Sequence, residues 1–377
     1  MKKAGWLCQV ALIICLAVSV LPSETAPAYS LVNVQRGGER ERQVAARFAP
    51  VFYQGLGEQP RFDYFAKFDF DGDWRGDNNW ANAEVRRFPL KAYVYYAVSE
   101  TETHFLIHYA VFHPRDYKGG DGASLYSQIL REGTRRGSKY DPTGQLIEIA
   151  LAHENDLEGC LVAVAKSGDD LERARAVFVE TVAHGKFLKY TAEGAPASGS
   201  GTVSLEGQRP RLYVEPKGHG IQAYRGTERP SSRRGVLTYS FSGQADDPEQ
   251  KGQKSAGYDL LPIYTTLWPR AQRGAGETYG EAYDYGQVKV SALGEDGRQL
   301  EREVKLGRLG SAFLGRVGAH NMARPPWGWT DRDEAGQARG GWFFDPARTI
   351  KRHFNLGSEF SITYIYAPFL GIEQRKG

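Results

Sequence analysis

Ala152-His153-Glu154-Asn155-Asp156-Leu157-Glu158-Gly159 sets one imidazole and three carboxylates side by side and runs directly into the apolar, strand-like segment Cys160–Ala165. Acids this close repel one another unless positive charge sits among them, supplied by a Lys or Arg or by a bound cation. No Lys or Arg lies inside the cluster; the nearest downstream is Lys166. A divalent cation is therefore the sharper reading, and an acidic edge loop with His153 packing locally is the plainer one. In a strand, alternate side chains share a face, so Asp156 and Glu158 point the same way and His153 points the other. Convergence of all three requires the chain to turn between His153 and Asp156, and Asn155 suits such a turn. Carboxylate oxygens favour Ca²⁺, Mg²⁺ or Mn²⁺, while an imidazole shifts the balance toward Mn²⁺ or Zn²⁺; with carboxylates in the majority, Ca, Mg or Mn is expected ahead of Zn.

Working outward, the 377-residue chain is rich in Tyr, Phe and Gly and holds only two Met, and long helical periodicity is rare. The expected fold class is mostly β: an antiparallel β-sandwich with long loops and a few short helices. Ala92–Val98 and His104–Phe112 read as a hairpin turning at 99–103. Further strands are expected at Leu161–Ala165, Ala176–Val182, Arg211–Glu215, Leu237–Phe241, Gln287–Ala292 and Glu359–Tyr366. Helices are expected at Glu41–Phe48, Ala123–Arg131, Asp169–Arg175 and Leu260–Trp268, with loops at Glu193–Thr202 and Gly243–Gly257. One domain over 29–377 is expected, with 270–377 as a C-terminal elaboration.

Lys2 and Lys3, the apolar run Trp6–Leu21 and the small residues Ala26-Pro27-Ala28 read as a signal peptide over 1–28, cleaved after Ala28. The expected location is secreted or periplasmic, with no transmembrane helix in the mature chain. Cleavage would remove Cys8 and Cys15 and leave Cys160 without an intramolecular partner, so the fold must stand on its core. The formal charge of +3 gives no sign of a nucleic-acid surface; the basic stretches Arg131–Lys139 and Arg225–Arg234 read as solvated loops.

Other segments could carry chemistry. Asp116 emerges at a strand end in His113-Pro114-Arg115-Asp116; the plainer reading is a turn in which Arg115 pairs with Asp116. Glu215-Pro216-Lys217-Gly218-His219-Gly220 places His219 between two glycines, and Ala183-His184-Gly185 repeats the arrangement more weakly. A second acidic cluster, Asp69, Asp71, Asp73 and Asp77, forms a possible cation loop. It is not an EF-hand, because Trp74 and Trp80 stand where Gly and Glu are required. There is no Gly-x-Ser-x-Gly elbow, His-Glu-x-x-His or Walker loop.

The spacing His-x-x-Asp-x-Glu entering a strand resembles the heptapeptide Gly-His-Arg-His-Asp-Trp-Glu of the necrosis-and-ethylene-inducing-like proteins and the related vacuolar-protein-sorting-62-like group. His153, Asp156 and Glu158 take the metal-ligand positions; Asn155 replaces the family's second His, and Leu157 its Trp. Tyr109–Asp116 resembles the strand ending in the family's first metal-binding Asp, although Tyr117–Ala152 is inserted after it. Val182–Gly185 resembles the Ser-Ala-His-Gly segment, Tyr213–His219 a later strand ending in Gly-His, and Phe48–Val51 the first strand. The resemblance spans roughly 47–224. It implies a β-sandwich with a divalent cation held by Asp116, His153, Asp156 and Glu158. His184, Glu215 and His219 would then be ligands or contacts behind them.

Three functions follow as expectations. The first is a secreted cation-binding protein recognising glycan or membrane-lipid head groups, with virulence or cytolysis in the toxin branch; Trp74, Trp80, Trp327 and Trp329 are candidates to stack on sugar faces or, equally, to anchor loops. The second is a metal-dependent hydrolase with His219 or His153 as general base. The third is a non-enzymatic exported protein stapled by its metal.

Overall fold

A computed structural model of the protein describes residues 29–117, 153–168, 170–195, 201–230, 232–250, 254–317, 322–334 and 336–373. The expected signal peptide, the helix expected at Ala123–Arg131 and the basic stretch Arg131–Lys139 lie outside these residues. The described residues are mostly β, 39% strand against 15% helix. In order the strands are β1 (Val51–Gly55), β2 (Tyr93–Thr101), β3 (His104–Asp116), β4 (His153–Ala165), β5 (Arg175–Ala183) and β6 (Lys186–Ala192). There follow β7 (Thr202–Val203), β8 (Leu205–Glu206), β9 (Arg209–Val214), β10 (Ile221–Ala223), β11 (Val236–Phe241) and β12 (Ser255–Pro262). The last are β13 (Tyr279–Asp284), β14 (Gln287–Leu293), β15 (Gln299–Lys305), β16 (Arg308–Phe313), β17 (Tyr364–Ala367) and β18 (Ile372–Glu373).

Hydrogen-bonded neighbours run β10-β9-β1-β11-β12-β2-β3-β4-β5-β6-β7. The first half of β12 pairs with β11 and its second half with β2, so this strand passes the ladder from one sheet to the next. The sheets then face each other: Thr181 of β5 donates through Oγ1 to the Ile221 carbonyl of β10 at 2.6 Å. β2 through β6 are antiparallel neighbours; the β2–β3 hairpin and β5 match the sequence reading closely, whereas β4 starts earlier, at His153, and β6 was not expected. Parallel neighbours occur as well: β1 with β9, β11 with β12, and β12 with β2. Each needs a long crossover, which no local pattern announces.

All thirteen residues of β3 are buried. On one face Tyr109 donates to the Ala45 carbonyl of the helix Glu39–Phe48, and His113 meets Gln54 of β1. On the other, Phe112 packs on Phe68, which contacts Phe313, and His108 lies against Trp342 and Phe343. Phe68 and segments after residue 270 together cover the second face of the central sheet, which explains why β3 lacks a polar-out alternation. Among the described residues no helix is long and apolar enough to cross a membrane.

Two helix expectations are corrected. At 170–174 the chain makes turns and enters β5 at Arg175; the Asp170 carboxylate accepts from Glu172 N, a local bond that competes with helix. At 260–268, Leu260 and Leu261 belong to β12, a single 3-10 turn spans Ile263–Thr265, and α-helix starts only at Leu267. Pro262 has no N–H to donate and closes the strand. The expected strand Glu359–Tyr366 is confined to Tyr364–Ala367.

The helix Glu39–Phe48 carries one group at odds with its surroundings. Glu41 is 1% exposed, and its Oε1 accepts from Gly37 N and the Tyr366 hydroxyl. Burial outweighs these bonds and pushes its pKa up to about 7. Raised above its unfolded value, this acid contributes fully below about pH 4.5, and that stability is lost as pH rises through 7. Glu41→Gln keeps the accepting oxygen and removes the charge. It is expected to stabilise the protein by up to about 3 kcal/mol at pH 8 and to be neutral at pH 4, read by urea unfolding at both.

Candidate functional site

β3 ends at Asp116 and β4 begins at His153, and the register pairs Asp116 with His153, Arg115 with Glu154 and His113 with Asp156. Paired residues share a face, so regular strands would put Asp116 and His153 on one side and Asp156 on the other. Asn155 breaks the alternation with φ +60°. As a result Asp116, His153, Asp156 and Glu158 all line one cavity of about 500 Å³. His184 and Gly218 sit at its edge, and Trp329, Thr330 and Arg332 form part of a wall.

Asn155 is itself completely buried and fully bonded. Its Nδ2 donates to the carbonyls of Gly76 (2.8 Å) and Leu314 (2.9 Å), and its Oδ1 accepts from Asn79 (2.8 Å). Glu154, the third acid of the motif, serves the structure: its carboxylate accepts from Trp80 N and Arg316 N. Arg115 does not pair with Asp116; it reaches Glu84 at 2.7 Å and the Trp80 carbonyl.

His153 is held in a fixed orientation. Its Nδ1 lies 2.7 Å from the Asn155 carbonyl, which fixes the proton there and turns Nε2 toward Asp116 Oδ2 at 3.4 Å. Two donors bound to one ion at about 2.1–2.4 Å and near right angles lie about 3.0–3.4 Å apart, so the spacing fits a shared cation. Burial opposes charge on this imidazole, but Asp116 and Asp156 outweigh it and shift its pKa upward. The pull that holds a proton there is the pull that would hold a cation.

Behind Asp156 lies a buried relay. His219, φ +51° and fully buried, bonds Asp156 Oδ2 through Nδ1 at 2.8 Å and faces Asp63 Oδ1 through Nε2 at 3.3 Å. Burial lowers its affinity for a proton, yet the two carboxylates prevail and raise its pKa to about 9. Asp63 is fixed by Gly57 N, Lys217 N and the Tyr117 hydroxyl. The His113 ring stacks on His219 at 3.6 Å, tilted by 4°. Burial and then the charge of His219 drive His113 well below its usual pKa, so a neutral ring lies on a charged one. Ligand-type atoms of His113, Asp156 and His219 also fall within 4.8 Å of one another. Parallel rings cannot aim both lone pairs at one ion, so this trio reads as support for Asp156.

The remaining candidates are placed as follows. His184, φ +53°, pairs with Glu215 at 2.7 Å on the rim. In the 69–77 loop Asp69 meets Lys67, Asp77 meets Arg75 and Arg316, and Asp71 and Asp73 accept from Asn82 and Asn78. None of the four lines the cavity. Of the four tryptophans only Trp329 lines it; Trp327 is fully buried, Arg270 covers Trp74, and Arg115 covers Trp80. Gly159 permits this wall, since a Cβ there would come within 2.7 Å of the Trp329 ring and 2.2 Å of the Tyr109 carbonyl. Asp63 and His113 were missed from sequence, where neither stands out from an ordinary turn or buried strand. Of six non-glycine residues with positive φ among those described, Asn155, His184, Lys217 and His219 surround this site, a concentration typical of functional regions.

No protein-family model and no curated protein matches the chain. Among solved structures it is similar to Necrosis and Ethylene inducing Protein 2 from the causal agent of cocoa's Witches Broom disease, with 15% identity over 54% of this chain and 77% of that one, at a TM-score of 0.29. It is similar to NLPPya in complex with mannosamine, with 16% identity, 63% and 81% coverage and a TM-score of 0.30. A third is the non-toxic HaNLP3 protein, with 13% identity, 62% and 80% coverage and a TM-score of 0.29.

Proposed function

We propose that this chain is an exported, non-enzymatic protein that holds a divalent cation through Asp116, His153, Asp156 and Glu158 and uses it to bind glycan or lipid head groups. The observation that carries the reading is that four donors from two strands line one cavity, with His153 Nε2 turned toward Asp116. Three carboxylates and one imidazole favour Ca²⁺, Mg²⁺ or Mn²⁺ over Zn²⁺. A cation in this cavity would take sugar hydroxyls, with Trp329 beside them as an apolar wall. The motifs shared with necrosis-inducing-like and vacuolar-protein-sorting-62-like proteins support the same reading, and a cytolytic role extends it. Export rests on residues 1–28 alone.

His219 is not placed as a general base: it is fully buried and held between two carboxylates. It positions Asp156 through the 2.8 Å bond from its Nδ1.

Thermal unfolding of the mature chain in chelator, then with each cation restored, tests the centre. At a free cation concentration of 100 times Kd the native state gains about 2.7 kcal/mol, seen as a rise in Tm. The Asp156→Ala/Glu158→Ala variant is expected to show no rise. If no cation moves the wild type, the metal reading fails. Glycan binding and liposome leakage with the loaded protein then test the head-group step.

A further inference from the structure

A second cavity, about 450 Å³, opens between the turn Pro60–Asp63, the segment around Arg86 and the loop around Arg234. Its volume suits a small molecule. The acids on its wall are matched from behind: Glu249 by Arg61 at 3.0 Å and Glu84 by Arg115 at 2.7 Å. Arg61 is used up, since it also donates to the carbonyls of Ala83, Val85 and Phe88. That leaves two positive charges over. Arg86 and Arg234 come from separate segments, and neither guanidinium has a partner among the described residues. A third donor is Tyr64, a lining residue with no exposure whose hydroxyl has no hydrogen-bond partner. A buried hydroxyl left unpaired costs free energy, so a native fold keeps one where something else completes it.

We propose that this cavity binds a hydroxylated oxyanion, a phosphate or carboxylate carried on a polyol, clamped by Arg86 and Arg234 with Tyr64 as a third donor. Guanidinium forks match the planar spacing of carboxylate and phosphate oxygens, which a single ammonium does not. Glu84 and Glu249 offer acceptors for the ligand's hydroxyl groups. Burial and the neighbouring charge of Glu249 raise the Tyr64 pKa, so its proton stays available. The site is independent of the cation centre, and none of its lining residues is shared with it.

Titration calorimetry on the full chain tests the proposal with inorganic phosphate, a sugar phosphate, the corresponding sugar acid and the neutral sugar. The phosphate and acid forms are expected to bind and the neutral sugar not; which anion binds tighter distinguishes the two sources. Arg86→Gln/Arg234→Gln is expected to weaken binding tenfold or more with Tm unchanged, both side chains being exposed. Tyr64→Phe is expected to weaken it several-fold while leaving Tm equal or higher. Asp156→Ala/Glu158→Ala is expected to bind as wild type does. No anion binding tighter than about 1 mM overturns the proposal, as does unchanged affinity in the arginine double variant or loss of binding in the Asp156/Glu158 variant.

Discussion

Asn155→Ala is expected to destabilise the protein by about 4 kcal/mol. Two effects add. At φ +60° alanine pays the left-handed penalty of about 1 kcal/mol, which asparagine tolerates. The amide also satisfies Gly76 O, Leu314 O and Asn79, and each buried partner left bare costs about 1 kcal/mol or more. Asn155→Gly recovers the backbone part only, so its loss should be about 1 kcal/mol smaller. Urea unfolding measures both. Equal losses for Ala and Gly would show that the backbone turn is not under strain. Because the turn directs Asp156 into the cavity, Asn155→Ala is also expected to abolish the cation-induced rise in Tm.

The second large effect concerns the wall opposite the acids. Glu180, completely buried on β5, accepts from His353 Nδ1 at 2.6 Å and from Trp342 Nε1 at 2.8 Å. The other ring nitrogen of His353 meets Glu334 at 2.8 Å, and Glu334 also holds Arg352. An imidazole bonded to carboxylates through both nitrogens needs both protons. Burial opposes that charge, and Lys189 opposes it too, but Glu180 and Glu334 shift the His353 pKa upward. Its stabilisation is therefore fully present below the unfolded value near 6.5 and is lost as pH rises through the higher folded value. Wild type should lose stability above neutral pH relative to His353→Gln, with the difference vanishing on the alkaline side. A pH-independent difference would mean the ring is neutral. Glu180→Ala strands both the imidazolium and the indole N–H and is expected to cost about 3–5 kcal/mol at pH 6. The same clamp, with Lys186–Asp333 at 2.6 Å and Arg332 N on the Gly185 carbonyl, holds the loop that carries the cavity wall.

What the sequence reveals here is local. The hairpin of β2 and β3, the strand after Gly159 and the convergence of Asp116, His153, Asp156 and Glu158 on one cavity were legible because their signals lie within a few residues: apolar runs joined by a short polar turn, clustered charge and an asparagine suited to positive φ. The supports were not. Asp63 meets His219 at 3.3 Å from a segment far away in the chain, and the turn Pro60–Asp63 that carries it looks like any other. His113 reads as a core residue and is one, stacked on the charged ring it helps to position. The acidic loop at 69–77 misled because charge density alone does not distinguish ligands from residues already paired with Lys67, Arg75 and Arg316. Likewise Trp327 and Trp329 are neighbours in sequence, yet only Trp329 reaches the cavity; that depends on packing against β16 and the helix Gly341–Phe344.

The pairing of β2 with β17 joins Thr101 to Tyr364, and part of the aromatic layer over β3, Trp342 on His108 and Phe313 behind Phe68, comes from beyond residue 310. Chain closure of that span is unfavourable until the last contacts reward it, so folding is dominated by late, non-local steps. During synthesis this face of the central sheet would remain incompletely covered until the final segment emerges, with His108 bare and Phe112 covered by Phe68 alone. Nascent chains ending near residue 270 should therefore be protease-sensitive and prone to associate, and the hairpin β2–β3, although first to be made, should be among the last elements to gain full protection from exchange.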